Sequence, residues 1–212
     1  MTVGTTTVKQ RTDVRQAELV AAALSLAAEQ SPGDITTAAL ANAVGISQGA
    51  VFRHFDSKEA IWLAAIDHVQ SELMERLENA ARGLSDPMQA LRAMFLAHAA
   101  FAADHPGAPR VIFHELQHPG DSPLKGKVRR LMREYRQRLL TPLRRARDLG
   151  RLSPRTDPET AVILFIGALQ GLVMQSMISG QVKAMPRHAP LVFDLLLDGL
   201  RASATSPTLE ST

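Results

Sequence analysis

The sequence predicts an all-α fold of about nine helices. Apolar residues recur at helical spacing in almost every segment, Asp or Ser followed by Pro opens one segment after another, and no alternating β-branched run bounded by turns occurs. With 212 residues and 45% hydrophobic composition, the chain can bury a sizeable core.

The elements follow in order. Leu19, Ala22, Ala23 and Leu26 fall at i, i+3, i+4 and i+7, which predicts an amphipathic helix from about Arg11 to Gln30, stopped by Ser31, Pro32 and Gly33. Two short helices are expected next, Thr37 to Val44 and Ser47 to His54, joined through Gly45. Asp56 with Glu59 three residues on has the form of a capping box, opening a long helix that ends at Gly83. Asp86-Pro87 with Gln89, Ser122-Pro123 and Asp157-Pro158 repeat the start signal. Within Lys125 to Arg151 the apolar residues Val128, Leu131, Met132, Tyr135, Leu139, Leu143, Ala146 and Leu149 form one stripe, and Pro142 predicts a kink. Four regions are expected: a disordered arm at 1–10, a helix-turn-helix domain at 11–56, a larger helical domain at 57–201 and a disordered tail at 202–212.

Charge is unevenly placed. Residues 1–60 hold five Lys/Arg against six Asp/Glu, whereas residues 125–155 hold twelve against two, so the net charge of +3 says little about any one surface. The absence of cysteine excludes disulfides, thiolate metal sites and thiol redox chemistry, and a cytoplasmic location is expected. The apolar run Ala161 to Met174 falls short of the roughly 20 residues of a membrane span and contains Gln170, so no membrane partner is expected.

Two short helices meeting at a glycine suit DNA reading, because the second can lie in the major groove while the first braces it across the backbone. Leu40, Val44, Ile46 and Val51 would make a small core with the first helix. The run ITTAALANAVGISQGAVFRHFDSKEAIW, Ile35 to Trp62, resembles the N-terminal domain of the TetR family of ligand-responsive transcriptional regulators. The residues that carry the resemblance are Thr36 or Thr37, Leu40-Ala41, Gly45-Ile46-Ser47, Gly49, Phe52-Arg53-His54-Phe55 and Ser57-Lys58-Glu59. It covers roughly residues 11 to 65; the remainder is similar to the family in being helical and of suitable length.

The resemblance implies that Thr37, Ser47, Gln48, Gly49, Phe52, Arg53, His54 and Lys58 face DNA. Gln48 can pair bidentately with adenine, Arg53 can read guanine or clamp phosphate, and Gly49 permits close approach. Thr37 and the start of the helix at Asp56, with Lys58, suit phosphate. Phe52 stands where the family usually has a tyrosine whose hydroxyl reaches a phosphate; Arg11 and Arg15 are candidates to compensate. Phe55 and Trp62 are expected in the core of the small domain.

The family reading further implies a homodimer, a double-stranded operator and a small-molecule effector. Phe165, Gly167, Gly171, Met174, Ile178, Leu191 and Leu195 are the expected dimer contacts, on two apolar helices near the chain end. A soft pocket for a mostly apolar effector is expected from Phe95, His98, Phe101, Phe113, Met132, Tyr135, Phe165 and Leu169, each of which also suits a core. The arginines of residues 125–151 read as a solvated face paired with carboxylates such as Glu72, Glu75 and Glu78. No cofactor is implied, and no HExxH, Ser-His-Asp order or phosphate-cradling glycine loop points to an enzyme. The alternative is a histidine-based metal sensor or helical metalloprotein, since His114 and His118 lie one helical turn apart with His98, His105, Glu115 and Asp104 near in sequence.

Overall fold

The computed structural model describes the backbone of residues 4–200 and the side chains of residues 12–200. The expected tail at 202–212, the first three residues of the expected arm and the side chain of Arg11 lie outside the described residues. Nine α-helices occur among the described residues: α1 (Gly4–Glu29), α2 (Thr37–Ala43), α3 (Gln48–Val51), α4 (Lys58–Ala81), α5 (Pro87–Asp104), α6 (Gly107–Leu116), α7 (Pro123–Asp148), α8 (Pro158–Ile178) and α9 (Met185–Leu200), with a 3-10 turn at Val182–Ala184 before the last. No strand is present among them. Helix α1 starts seven residues before the expected Arg11, inside the segment read as a disordered arm.

The proline-led starts form as the sequence implies. Met88 N donates to Asp86 Oδ1, Lys125 N to Ser122 Oγ and Thr160 N to Asp157 Oδ2, each satisfying a backbone donor of a first turn. Helix α4 is different. Its cap is Ser57, whose Oγ accepts from Ala60 N at 3.1 Å, so the box expected between Asp56 and Glu59 does not form. Two cap residues stand side by side, and the serine hydroxyl wins the position three residues before a free amide. Gly83, at φ 77°, ends the region as expected. Helix α7 continues through Pro142.

The chain forms two compact units. The first comprises residues up to Met74 with Asp104–Met132, and the second Glu75–Ala103 with Arg133 onward, so the division cuts α4, α5 and α7 rather than falling at residue 56. In the first unit, Leu19, Ala23 and Ala27 of α1, Ile35, Leu40, Val51, Phe55 and Trp62 are buried. Helix α6 packs on α1 so closely that a Cβ on Gly107 would sit 1.9 Å from Leu24 O. The loop between α6 and α7 is pinned by buried Lys125, whose ammonium donates to the carbonyls of His118 and Gly120, and by Ser122, whose hydroxyl donates to Glu115. In the second unit, Phe95, Phe165 and Phe193 pack ring against ring, with centroids 5.2 to 6.3 Å apart. The end of α9 is tied to the α7–α8 loop by Ser153 N donating to Leu200 O at 3.0 Å.

Candidate nucleic-acid interface

The turn between α2 and α3 is built by backbone geometry. Ile46 N donates to Ala41 O and Gly45 N to Asn42 O, the paired bonds of a Schellman stop, which needs a left-handed residue at Gly45, φ 67°. Hydroxyls fix the helix starts on either side. Thr36 Oγ1 accepts from Ala39 N and Ser47 Oγ from Ala50 N. Thr36 is therefore the cap of α2 and Thr37 its first helical residue. Each cap oxygen is occupied by its own helix, yet its O–H remains a donor for a phosphate.

Helix α1 holds this turn from behind. Arg15 Nη1 donates to Val44 O at 3.3 Å, and Gln16 Nε2 donates to His54 O at 2.7 Å, so one helix grips both the end of α2 and the turn after α3. Arg15 also pairs with Glu18 at 2.6 Å. The guanidinium thus serves the frame, and with five N–H donors and a side chain 36% accessible it keeps donors for the compensating role expected of it. Nothing in the sequence flagged Gln16, because its partner lies 38 residues away and is a backbone carbonyl.

Ser47, Gln48, Gly49, Phe52 and Arg53 are exposed, while Val51 beneath them is buried. Gln48, Gly49, Phe52 and Arg53 share one side of a helical turn that is α-helical only over Gln48–Val51. A Cβ on Gly49 would meet no atom of the chain within 4 Å, so any need for glycine there comes from an approaching partner. Thr37 is half-buried. His54 stands apart from its neighbours: it is half-buried, and its Nδ1 is enclosed without a hydrogen-bond partner among the described residues. Lys58 Nζ donates to Gly33 O at 3.1 Å, fastening the start of α4 to the α1–α2 turn. An ammonium has three N–H donors, so this bond leaves Lys58 able to meet a phosphate, and the α4 N-terminus beside it adds a partial positive charge.

The other predicted sites separate. On α8 and α9, Gly167, Gly171, Met174, Ile178, Leu191 and Leu195 are exposed, with Ile178 71% and Leu195 75% accessible. Ile163 and Leu164 join them. Phe165 does not: it is 1% accessible and packs against Phe95 and Phe193. Two residues from Gly167 on a helix is about 200° of rotation, so the two cannot share a face. Helix α8 extends beyond Ala161–Met174 at both ends, and its 21 residues, with an 18-residue window of mean hydropathy 1.9, are long and apolar enough to cross a membrane by length and composition. One side of it nevertheless fills the core through Phe165, Leu169 and Val173, and the exposed side includes Gln170 and Gln175.

Of the expected pocket residues, Phe95, Phe101, Tyr135, Phe165 and Leu169 are buried side chains of the second unit. Phe113 and Met132 are half-buried members of the first. Arg76 lies 5.2 Å above the Phe101 ring, a cation–π contact. His98 Nδ1 and Tyr135 Oη are 2.8 Å apart. Burial holds the imidazole down to about 3 and pushes the phenol above its ordinary range, so both are neutral around pH 7. A groove of the second unit, of 480 Å³ between the end of α4, the start of α5 and α7, is lined by none of the eight expected residues.

The arginine helix behaves as a paired surface. Arg138 meets Glu78 at 3.0 Å and Glu134 at 3.6 Å, Arg144 meets Glu159 at 2.8 Å, Lys127 pairs with Asp67 and Arg129 with Asp121. The Arg129 guanidinium holds the Asp121 carboxyl below its usual range. Glu72, expected among the arginine partners, lies 3.4 Å from His68 and 3.2 Å from His105. Leu149, expected on the buried stripe, is exposed because α7 has ended at Asp148.

The metal reading loses its basis. His114 and His118 meet edge to face at 5.0 Å, His98 is engaged with Tyr135 and His105 with Glu72, and no cluster of three or more His, Cys, Asp or Glu residues suited to a metal occurs among the described residues.

Comparison with known proteins agrees with this geometry. Residues 19–65, which contain the whole α2–α3 turn, match the family of bacterial regulatory proteins, tetR family, and residues 117–191 match the tetracyclin repressor-like C-terminal domain. The chain belongs to the TetR family. It is 32% identical over 139 residues to the nucleoid occlusion factor SlmA of Yersinia pseudotuberculosis serotype O:1b, covering 64% of this chain and 70% of that one. Among solved structures, the transcriptional regulator FadR from Bacillus subtilis, in complex with stearoyl-CoA, superposes with a TM-score of 0.77 at 19% identity, over 87% of this chain and 99% of that one. The ketosteroid regulator KstR2 of Mycobacterium tuberculosis gives 0.75 at 18%, over 89% and 96%. These two share the fold of this TetR-family regulator.

Proposed function

We propose that this TetR-family regulator represses transcription as a homodimer that lays the exposed side of Gln48–Arg53 in the major groove of a near-palindromic operator. The observation that carries the reading is that exposed side itself, held by the Schellman turn at Gly45, the Ser47 cap and the two α1 side chains behind it. Gln48 and Arg53 supply the base contacts, and the Thr36 and Ser47 hydroxyls with the α4 N-terminus supply the phosphate grip. His54 offers its remaining ring nitrogen. Pairing of the exposed α8 and α9 faces across a two-fold covers Ile178, Leu191 and Leu195, and places the reading helices one turn of DNA apart, about 34 to 36 Å. Such a molecule works on DNA in the cytoplasm.

Release comes from a small, mostly apolar effector that favours a conformation with misspaced reading helices. By linkage, that effector binds the free protein more tightly than the operator complex, by the same factor with which it weakens DNA binding.

The test is binding of the purified protein to DNA beside its own gene, with and without Arg53→Ala. Sequence-specific binding lost in the variant, with weak general binding retained, supports the reading; unchanged specific binding contradicts it. The relatives' name, nucleoid occlusion factor, motivates a second reading in which the same DNA-binding face serves a role other than repression of adjacent genes. Genome-wide occupancy separates the two: a few promoter sites favour repression, and many dispersed sites away from promoters favour the second role.

A further inference from the structure

The groove of the second unit has a chemistry of its own. Its floor is apolar, formed by buried Leu77 from α4 and by Pro87, Ala90 and Met94 from α5. Its rim carries Arg82, Arg138 and Arg145, with Glu78 the carboxylate among the lining residues. Glu78 is already committed to Arg138 at 3.0 Å, and Glu134 approaches the same guanidinium at 3.6 Å. Arg82 and Arg145 are exposed and form no ion pair among the described residues. The end of α4 and the start of α5 both border the groove, and their partial charges of about −0.5 and +0.5 offset each other. Two uncompensated guanidinium groups therefore set the sign of the site. Its volume of 480 Å³ lies within the range of about 300 to 1,000 Å³ typical of small-ligand sites.

From this juxtaposition of an apolar floor and two unpaired arginines we infer that the groove binds a single-tailed amphipathic anion, the tail along the accessible apolar side chains of Ala81, Leu84 and Pro142 above that floor and the acidic head between Arg82 and Arg145. A carboxylate or phosphate head meets the guanidinium fork in charge-assisted hydrogen bonds, and the tail leaves water against the helices. A cationic amphiphile is excluded by the same charges, and an uncharged one keeps only the tail contact. The groove's occupancy is independent of the effector reading, which bears only on the consequence at the operator.

The test uses the full chain and decanoate, decanol and decyltrimethylammonium as probes, in calorimetric titration at concentrations below micelle formation. One decanoate site per chain is expected, about tenfold tighter than decanol, with no binding of the cation. Arg82→Ala with Arg145→Ala, both surface changes, should bring decanoate to the decanol level. Ala81→Phe, which crowds the groove, should weaken both probes. Equal binding of decanoate and decanol, or decanoate binding untouched by the double variant, overturns the inference. Operator binding measured in parallel separates the two proposals. Decanoate bound through the arginines without change in DNA affinity upholds this site and removes it as the effector's. Release of DNA that survives the double variant keeps an effector and overturns the groove as its place.

Discussion

Under the proposed function, the Gly45–Phe55 segment and the arginine helix α7 invert the usual relation between charge and DNA contact. The first carries a single cation, Arg53, and yet its backbone is held by a left-handed glycine, a serine cap and two side chains of α1, one bonded to the His54 carbonyl and one to the Val44 carbonyl just before the segment. Residues 125–155 carry twelve Lys/Arg, and Lys127, Arg129, Arg138 and Arg144 are engaged with carboxylates. Base reading needs a few donors and acceptors held in register, whereas an exposed ion pair contributes about 0 to 1 kcal/mol wherever it lies. Under the proposed function, fixed geometry rather than charge density marks the reading surface.

Arg53→Ala should have the greatest effect on operator binding. Loss of a base-reading contact costs about 1 to 3 kcal/mol, so specific operator affinity should fall roughly tenfold to a hundredfold in a mobility-shift titration while general DNA binding persists. Gly45→Val attacks the frame instead. A left-handed β-branched residue costs about 1 to 2 kcal/mol, which for a chain of this size lowers the melting temperature by roughly 2 to 8 °C in a thermal scan.

The part-buried His98–Tyr135 pair contrasts with both surfaces, since it carries no charge around pH 7. Unfolded, His98 titrates at 6.5; folded, at about 3. Between those values the unfolded chain holds the extra proton, so stability is complete above pH 6.5 and declines as the pH falls toward 3, by at most about 1.4 kcal/mol per pH unit from this residue. Denaturant titrations of wild type and His98→Phe between about pH 7 and pH 4 should show that share of the acid sensitivity vanish in the variant. A smaller gain is expected from Phe52→Tyr. The exposed ring lacks a hydroxyl that could donate to a phosphate, and restoring it should tighten operator binding about threefold to tenfold.

Much of the fold was legible because its signals are local. Asp86, Ser122 and Asp157 each sit before a proline and cap the helix they announce, and Gly83 stops one. The errors fall where local signals compete or where partners are distant. Asp56 and Ser57 both make good caps, and only the bond from the Ala60 amide decides for Ser57. Phe165 lies in the same apolar run as Gly167, and nothing in that run tells which residues face the core until Phe95 and Phe193 are placed against it. The exposed side of Gln48–Arg53 was legible through its motif, but the roles of Arg15 and Gln16 were not, because a bond to a carbonyl 29 or 38 residues away leaves no pattern in a single sequence. The groove arginines of α7 were read as part of a solvated face for the same reason: their apolar floor comes from α4 and α5.

Whether the exposed side of Gln48–Arg53 or the arginine helix meets DNA is read from the salt dependence of operator binding. Arg130, Arg133 and Arg136 form no ion pair among the described residues and are the helix's best candidates for phosphate. Each cation that neutralises a phosphate adds about 0.9 to the slope of log affinity against log salt. With all three changed to glutamine, operator affinity should stay within about twofold of wild type and the slope should not change. A slope shallower by about 2.7 per protomer, with affinity falling in step, would contradict the Gln48–Arg53 reading and place the arginine helix on the DNA.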